Sequence, residues 1–94
     1  MYVVVRKYSG SGASELFDLI EQRSDEVKEV ISGTPGFVSY VGFREGDGGT
    51  TVTVCEDAAG TEESSKRAAD WVSENATSPV EPPSIAEGSA LIQF

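Results

Sequence analysis

Gly36-Phe37-Val38-Ser39-Tyr40-Val41-Gly42-Phe43-Arg44, Glu45-Gly46-Asp47-Gly48-Gly49 and Thr50-Thr51-Val52-Thr53-Val54-Cys55-Glu56 form the stretch that decides how this chain folds. Two runs rich in β-branched and aromatic residues flank a short glycine-rich segment, the composition of a hairpin. An antiparallel pair in mid-chain leaves one strand–helix unit on each side. Upstream, Tyr2 to Tyr8 reads as a strand ended by Ser9-Gly10-Ser11-Gly12. A helix is expected from Ala13 to Ser32. Ser14 is placed to cap it, Glu15 and Asp18 sit near its positive end, and Gly33 and Pro35 stop it. Its Leu16, Phe17, Leu19, Ile20, Val27, Val30 and Ile31 share one arc. Downstream, a second helix is expected to start after Asp57 or Thr61 and to reach about Ala76. Ser78 to Ser84 carries three of the four prolines and reads as an extended connector to a last strand, Glu87 to Phe94.

The resulting order is strand, helix, strand, strand, helix, strand, the split βαβ of α+β ferredoxin-like folds. It implies a four-stranded antiparallel sheet with two helices on one face, in a single domain spanning residues 1–94. Val3-Val4-Val5, Phe37 to Phe43, Val52 to Cys55 and Ala90 to Phe94 place apolar side chains on odd and even positions alike. A strand buried on both faces reads in this way. Two helices cover only one face, so a second copy of the chain is expected on the other, which makes a homodimer.

Sixteen acids against seven bases give a net charge of −9 with no basic cluster. Nucleic acid and anionic membrane surfaces are therefore excluded as natural partners, because binding to either rests on Lys and Arg. No run approaches a membrane span, and the first residues lack the pattern of a secretory signal, so a cytoplasmic location is expected. The chain has one cysteine and no histidine. That removes an intrachain disulfide, His-ligated zinc and the usual Ser–His and Cys–His pairs, and Cys55 is expected to pack as a small hydrophobe. No metal or cofactor is expected. Gly46-Asp47-Gly48-Gly49 lacks the Lys and following helix of a phosphate-binding loop.

Three residues stand out as pocket candidates. Trp71 lies at the edge of a face of the second helix made of Thr61, Ser64, Ser65, Ala68, Ala69, Val72 and Ala76. Such small residues either let the helix lie close on the sheet or leave a hollow beneath it. An indole there packs in the core or an interface, or stacks on a flat ligand. Arg23 falls near the middle of the first helix's apolar arc. It either snorkels to the surface or turns its guanidinium toward a carboxylate or a ligand oxygen. Tyr40 shares a strand face with Val38 and Arg44, and Tyr2 and Tyr8 share one with Val4 and Arg6. A Tyr–Arg pair in a closed cavity suits a phenolic ligand, or serves as an ordinary interface pair.

Thr34-Pro35-Gly36-Phe37-Val38-Ser39-Tyr40, Val52-Thr53-Val54-Cys55-Glu56-Asp57, Ala58-Ala59-Gly60-Thr61-Glu62-Glu63-Ser64 and Ala69-Asp70-Trp71-Val72 resemble small antibiotic-biosynthesis-monooxygenase-like proteins of the dimeric α+β barrel superfamily. The resemblance spans nearly the whole chain. It implies two sheets packed face to face, with helices outside and pockets between helices and sheet. It also implies either cofactor-free oxidation of anthrone-type polyketides or haem degradation. The haem degraders carry a tryptophan matching Trp71 but need an axial histidine, which this chain lacks. The expected function is a cofactor-independent monooxygenase acting on a small aromatic or polyketide-like compound, with Trp71, Arg23 and Tyr40 stabilising its anion. The alternative is a non-catalytic, ligand-binding or stress-related homodimer.

Overall fold

A computed structural model describes residues 1–94 as β1 (Tyr2–Tyr8), α1 (Ala13–Gln22), α2 (Ser24–Ser32), β2 (Phe37–Glu45), β3 (Gly48–Cys55), α3 (Ala58–Asn75) and β4 (Ser84–Ser89). The four strands form one antiparallel sheet in the order β2-β3-β1-β4, the ferredoxin-like arrangement expected from the sequence. The central hairpin is tighter than the glycine content suggested. β2 and β3 pair up to Glu45 opposite Gly48, leaving Gly46 and Asp47 as the turn, with Gly46 at φ 58°.

Three helices cover the sheet where two were expected, because the first breaks at Arg23. The Arg23 N–H still bonds to the Leu19 carbonyl at 2.9 Å, closing α1. The Arg23 carbonyl then accepts from both Glu26 and Val27 at 3.1 Å, starting α2. Arg23 itself sits at φ −118°, ψ 36°, outside helical geometry. Asp25 and Glu26 occupy the first turn of α2, where carboxylates favour a new helix N-terminus over continuation of the old one. The cap of α1 also differs: Gly12, not Ser14, is the N-cap residue, and no side chain bonds there. α3 starts as expected, with the Asp57 carboxylate accepting from the Gly60 N–H at 3.0 Å. Gly60 is required there, since a Cβ would come within 2.8 Å of Cys55 Cβ and of the Pro35 carbonyl.

The last strand is shifted toward the N-terminus of its expected span. β4 pairs with β1 from Lys7 opposite Ser84 to Tyr2 opposite Ser89, and Ala90 makes one further bond to the Met1 carbonyl at 2.9 Å. The apolar run that follows is not part of the ladder. Leu91, Ile92 and Phe94 are exposed.

The core lies between helices and sheet, around Tyr8, Ala13, Leu16, Phe17 and Trp71, with the Tyr8 and Phe17 rings edge to face at 5.9 Å. Alternation sends Val4, Arg6 and Tyr8 of β1 and Thr51, Thr53 and Cys55 of β3 under the helices. It sends Val3, Val5, Val52 and Val54 to the bare face, where Val5 and Val41 both pair with Val52. Val41 and Phe43 remain 58% and 49% exposed on β2. The covered face is thus the more polar one, and the bare face is an apolar ladder.

Candidate functional site

The centre of the covered face is Arg6. Its side chain is 2% exposed, yet none of the chain's five ion pairs involves it. Its three hydrogen bonds go to neutral hydroxyls: Nη2 donates to Thr53 Oγ1 at 2.8 Å, and Nη1 donates to Ser65 Oγ at 3.0 Å and Ser64 Oγ at 3.3 Å. Ser64 passes its own proton to the Thr61 carbonyl at 2.7 Å, which leaves its lone pairs for the arginine. Nε has no partner. A buried guanidinium without a counter-charge is electrostatically expensive, and its natural complement is an anion.

These contacts explain the small-residue face of α3. Ser64 and Ser65 are acceptors for a cation that the sheet thrusts beneath the helix, and any larger side chain there would displace it. The sequence reading placed Arg6 beside Tyr8 but did not single it out. The available signal was a charged residue at an even position of β1, on the face shared by Val4 and Tyr8.

Arg6, Tyr8, Tyr40, Thr51 and Trp71, together with Ile20, Val27, Val30, Ile31, Ala68 and Val72, line a cavity of about 20 Å³, room for one water. Trp71 and Tyr40 therefore meet at one place, from α3 and β2. Of the three buried polar side-chain atoms in the chain that lack a partner, two belong to residues of this cavity: Arg6 Nε and Thr51 Oγ1. Burial pushes the Tyr8 and Tyr40 phenols above the ordinary tyrosine range, against the opposing pull of Arg6. Both phenols are consequently hydrogen-bond donors at neutral pH, not bases.

Arg23 lies outside this group. Its Nε and Nη2 bond to the Glu26 carboxylate at 3.0 and 2.6 Å, and its guanidinium carbon lies 5.5 Å from the centroid of the Trp71 ring. The indole Nε1 donates to the same carboxylate at 2.9 Å. Hydrogen bonds from Arg23, then from Trp71, hold the Glu26 carboxyl below its usual range. Arg23 thus positions Trp71 from the surface. Cys55 is buried, and burial followed by the Asp57 charge pushes its thiol up, so it is no nucleophile.

Two larger spaces flank the cavity. One, of about 710 Å³, lies between α1–α2 and β2 and includes Phe17, Ile20, Val27, Tyr40, Phe43 and Thr51. The other, of about 640 Å³, lies between α3 and the Ala76–Pro83 connector and includes Arg6, Tyr8, Ala69, Val72, Val80 and Ile85. The first shares Tyr40 and Thr51 with the cavity, and the second shares Arg6 and Tyr8. Both spaces therefore adjoin residues of the arginine site, and the second includes Arg6 itself.

No protein-family model and no curated protein matches the sequence. Solved structures do match in fold. The heme-degrader MhuD from Mycobacterium tuberculosis, with two hemes bound in its active site, is 17% identical with a TM-score of 0.64, covering 100% of this chain and 99% of that one. A monooxygenase from the gene ActVA-Orf6 of Streptomyces coelicolor, in complex with Nanaomycin D, is 21% identical with a TM-score of 0.59, covering 99% and 88%. SnoaB, a cofactor-independent oxygenase from Streptomyces nogalater, is 14% identical with a TM-score of 0.52, covering 99% and 93%. The fold is that of the antibiotic-biosynthesis-monooxygenase-like α+β proteins.

Proposed function

We propose that this protein binds a planar phenolic compound between α2 and the sheet and oxidises it with molecular oxygen, without a cofactor. The observation that carries this reading is the uncompensated Arg6 guanidinium beside the second orphan, Thr51 Oγ1, at a cavity walled by Tyr40 and Trp71. The space against α2 and β2 accommodates an aromatic body, and a substrate oxygen pressed into the cavity would meet Arg6. That charge favours the ionised phenol over the neutral one, and exclusion of water strengthens the preference. The protonated phenols of Tyr8 and Tyr40 are suited to hydrogen-bond the same oxygen. The anion forms when the activated ring CH₂ releases a proton to water, which places the negative charge on the ring oxygen beside Arg6. It donates an electron to O₂, the two radicals join at that carbon, and the peroxide takes up a proton to become a CH–OOH hydroperoxide. Loss of water then leaves a carbonyl, so that CH₂ and O₂ become C=O and H₂O.

Two solved relatives in fold are oxygenases by their own descriptions, which supports the reaction class. Haem does not fit: the chain has no histidine, and the cavity's oxygen donors are hydroxyls and phenols that burial keeps protonated. The cavity's small volume favours a second reading, in which ligands occupy the flanking spaces and no reaction follows. Incubating the chelator-treated protein with a hydroxyanthrone in air separates the two. Growth of quinone absorbance, reduced roughly a hundredfold in Arg6→Met, supports the oxygenase. Binding seen by calorimetry with no turnover leaves the second reading.

The assembly belongs to the same proposal. A homodimer formed through the ladder of Val3, Val5, Val41, Val52 and Val54 covers the bare face and leaves the arginine site on the helical side of each subunit. Small aromatic ligands, and not nucleic acid or membranes, are then its partners. No helix is long and apolar enough to cross a membrane, and a cytoplasmic location accords with the single unpaired cysteine.

A further inference from the structure

The space between α3 and the proline-rich connector is not needed by the oxygenase reading, yet Arg6 is among its lining residues. Its walls combine aliphatic Ala69, Val72, Ala76, Val80, Pro83 and Ile85 with the small hydroxyl residues Ser73, Thr77 and Ser78. Tyr8 is its only aromatic side chain, in contrast to the space against α2, which includes Phe17, Phe37 and Tyr40. At its inner end stand Arg6 and Ser65, with Arg6 almost wholly buried and its Nε unpartnered. Its outer part includes Glu81, the one acidic residue of the lining.

We infer that this groove is a second ligand site and takes a monocarboxylate with an aliphatic body. Three features select that class. One guanidinium balances one negative charge, and in a chain of net charge −9 a dianion would leave a buried excess of like charge. The planar carboxylate matches the fork of a guanidinium, whose Nη atoms are already oriented by Thr53, Ser64 and Ser65. A volume of about 640 Å³ with aliphatic side chains and proline rings along its length suits a flexible chain of moderate length. A neutral amphiphile would fill the same walls but leave the charge unanswered.

The site shares Arg6 with the proposed oxygenase but does not depend on it. The probe is decanoate, titrated calorimetrically into the full chain, with 1-decanol and decyl phosphate as controls. Decanoate is expected to bind at least tenfold more tightly than either control. Arg6→Met should weaken decanoate tenfold or more and leave 1-decanol unchanged. Ala69→Leu, which fills the groove from α3 without touching the arginine, should weaken decanoate while leaving hydroxyanthrone turnover unaltered. Equal binding of decanoate and decanol, no decanoate binding at millimolar concentration, or indifference to either substitution would overturn the inference. Competition of decanoate with hydroxyanthrone turnover would join the two readings at one guanidinium. Decanoate binding in a protein that never turns over a hydroxyanthrone sinks the oxygenase alone.

Discussion

Beneath the helices the sheet presents Val4, Arg6, Tyr8, Thr51, Thr53 and Tyr40, while its opposite face presents Val3, Val5, Val41, Phe43, Val52 and Val54. In a free-standing α+β domain the apolar set would lie under the helices and the polar set in water. Here the distribution is reversed. The covered face spends buried positions on a cation and hydroxyls, which cost stability. The bare face leaves Val41 and Phe43 exposed and Val3, Val5, Val52 and Val54 only half-buried, an apolar surface that costs solubility unless another layer covers it. Under the proposed function this difference separates two tasks, one face for a ligand and the other for a second subunit.

Substitutions on each face put that separation at risk. The largest effect is expected from Trp71→Ala, which removes the main aromatic filler of the covered layer and its bond to Glu26. It should lower unfolding free energy by about 3–5 kcal/mol in urea titration. A much smaller loss would mean that the polar layer is not held by its apolar partners. Next comes Val52→Asp at the centre of the bare ladder. Burying that carboxylate in an interface should weaken association more than about a hundredfold by sedimentation equilibrium, with the circular dichroism of the subunit retained. A dimer that persists unchanged would move the interface elsewhere.

Arg6→Met should change stability by no more than about 2 kcal/mol in either direction. Relief from an unpaired buried charge offsets the loss of three hydrogen bonds. A severe loss of stability would make Arg6 a structural residue and weaken its assignment to a ligand. The smallest effect belongs to Glu26→Gln. The Glu26 carboxyl is held below its usual range in the folded chain, so its contribution is present at neutral pH and is lost as pH falls through the folded value. The variant should melt slightly earlier than the parent at pH 7, and the two should converge in acid. Trp71 is the lone tryptophan, and its fluorescence should follow the same titration.

Much of the fold was legible before any coordinates. Glycine clusters and runs of β-branched and aromatic residues marked β1 to its ends, placed the central hairpin and fixed the strand order, because each is a local property of neighbouring residues. The break at Arg23 was not visible: the apolar arc continues through it, and only Asp25 and Glu26 hinted at a second N-terminus. The last strand lies elsewhere because the apolar run Ala90–Phe94 reads as a strand in isolation, whereas it is the preceding Ser84–Ser89 that pairs with β1. Of the three pocket candidates, Tyr40 and Trp71 meet at the cavity, and Arg23 supports Trp71 from outside it. Arg6 was noted only as a neighbour of Tyr8.

Composition and periodicity were sufficient for the element order, the acidic surface, the lack of histidine chemistry and the shortage of cover on one face, since none of these depends on distant contacts. Which face would be left bare, and that it would be the more apolar one, depended on the register of β1 against β3, which seats Thr51 and Thr53 beside Arg6 and pairs Val52 and Val54 on the other side. The meaning of the serines on α3 likewise emerged only when the helix was laid over β1, bringing Arg6 and Ser64 together across 58 residues of chain. A buried charge is recognised by what surrounds it, and those surroundings come from every part of the fold at once.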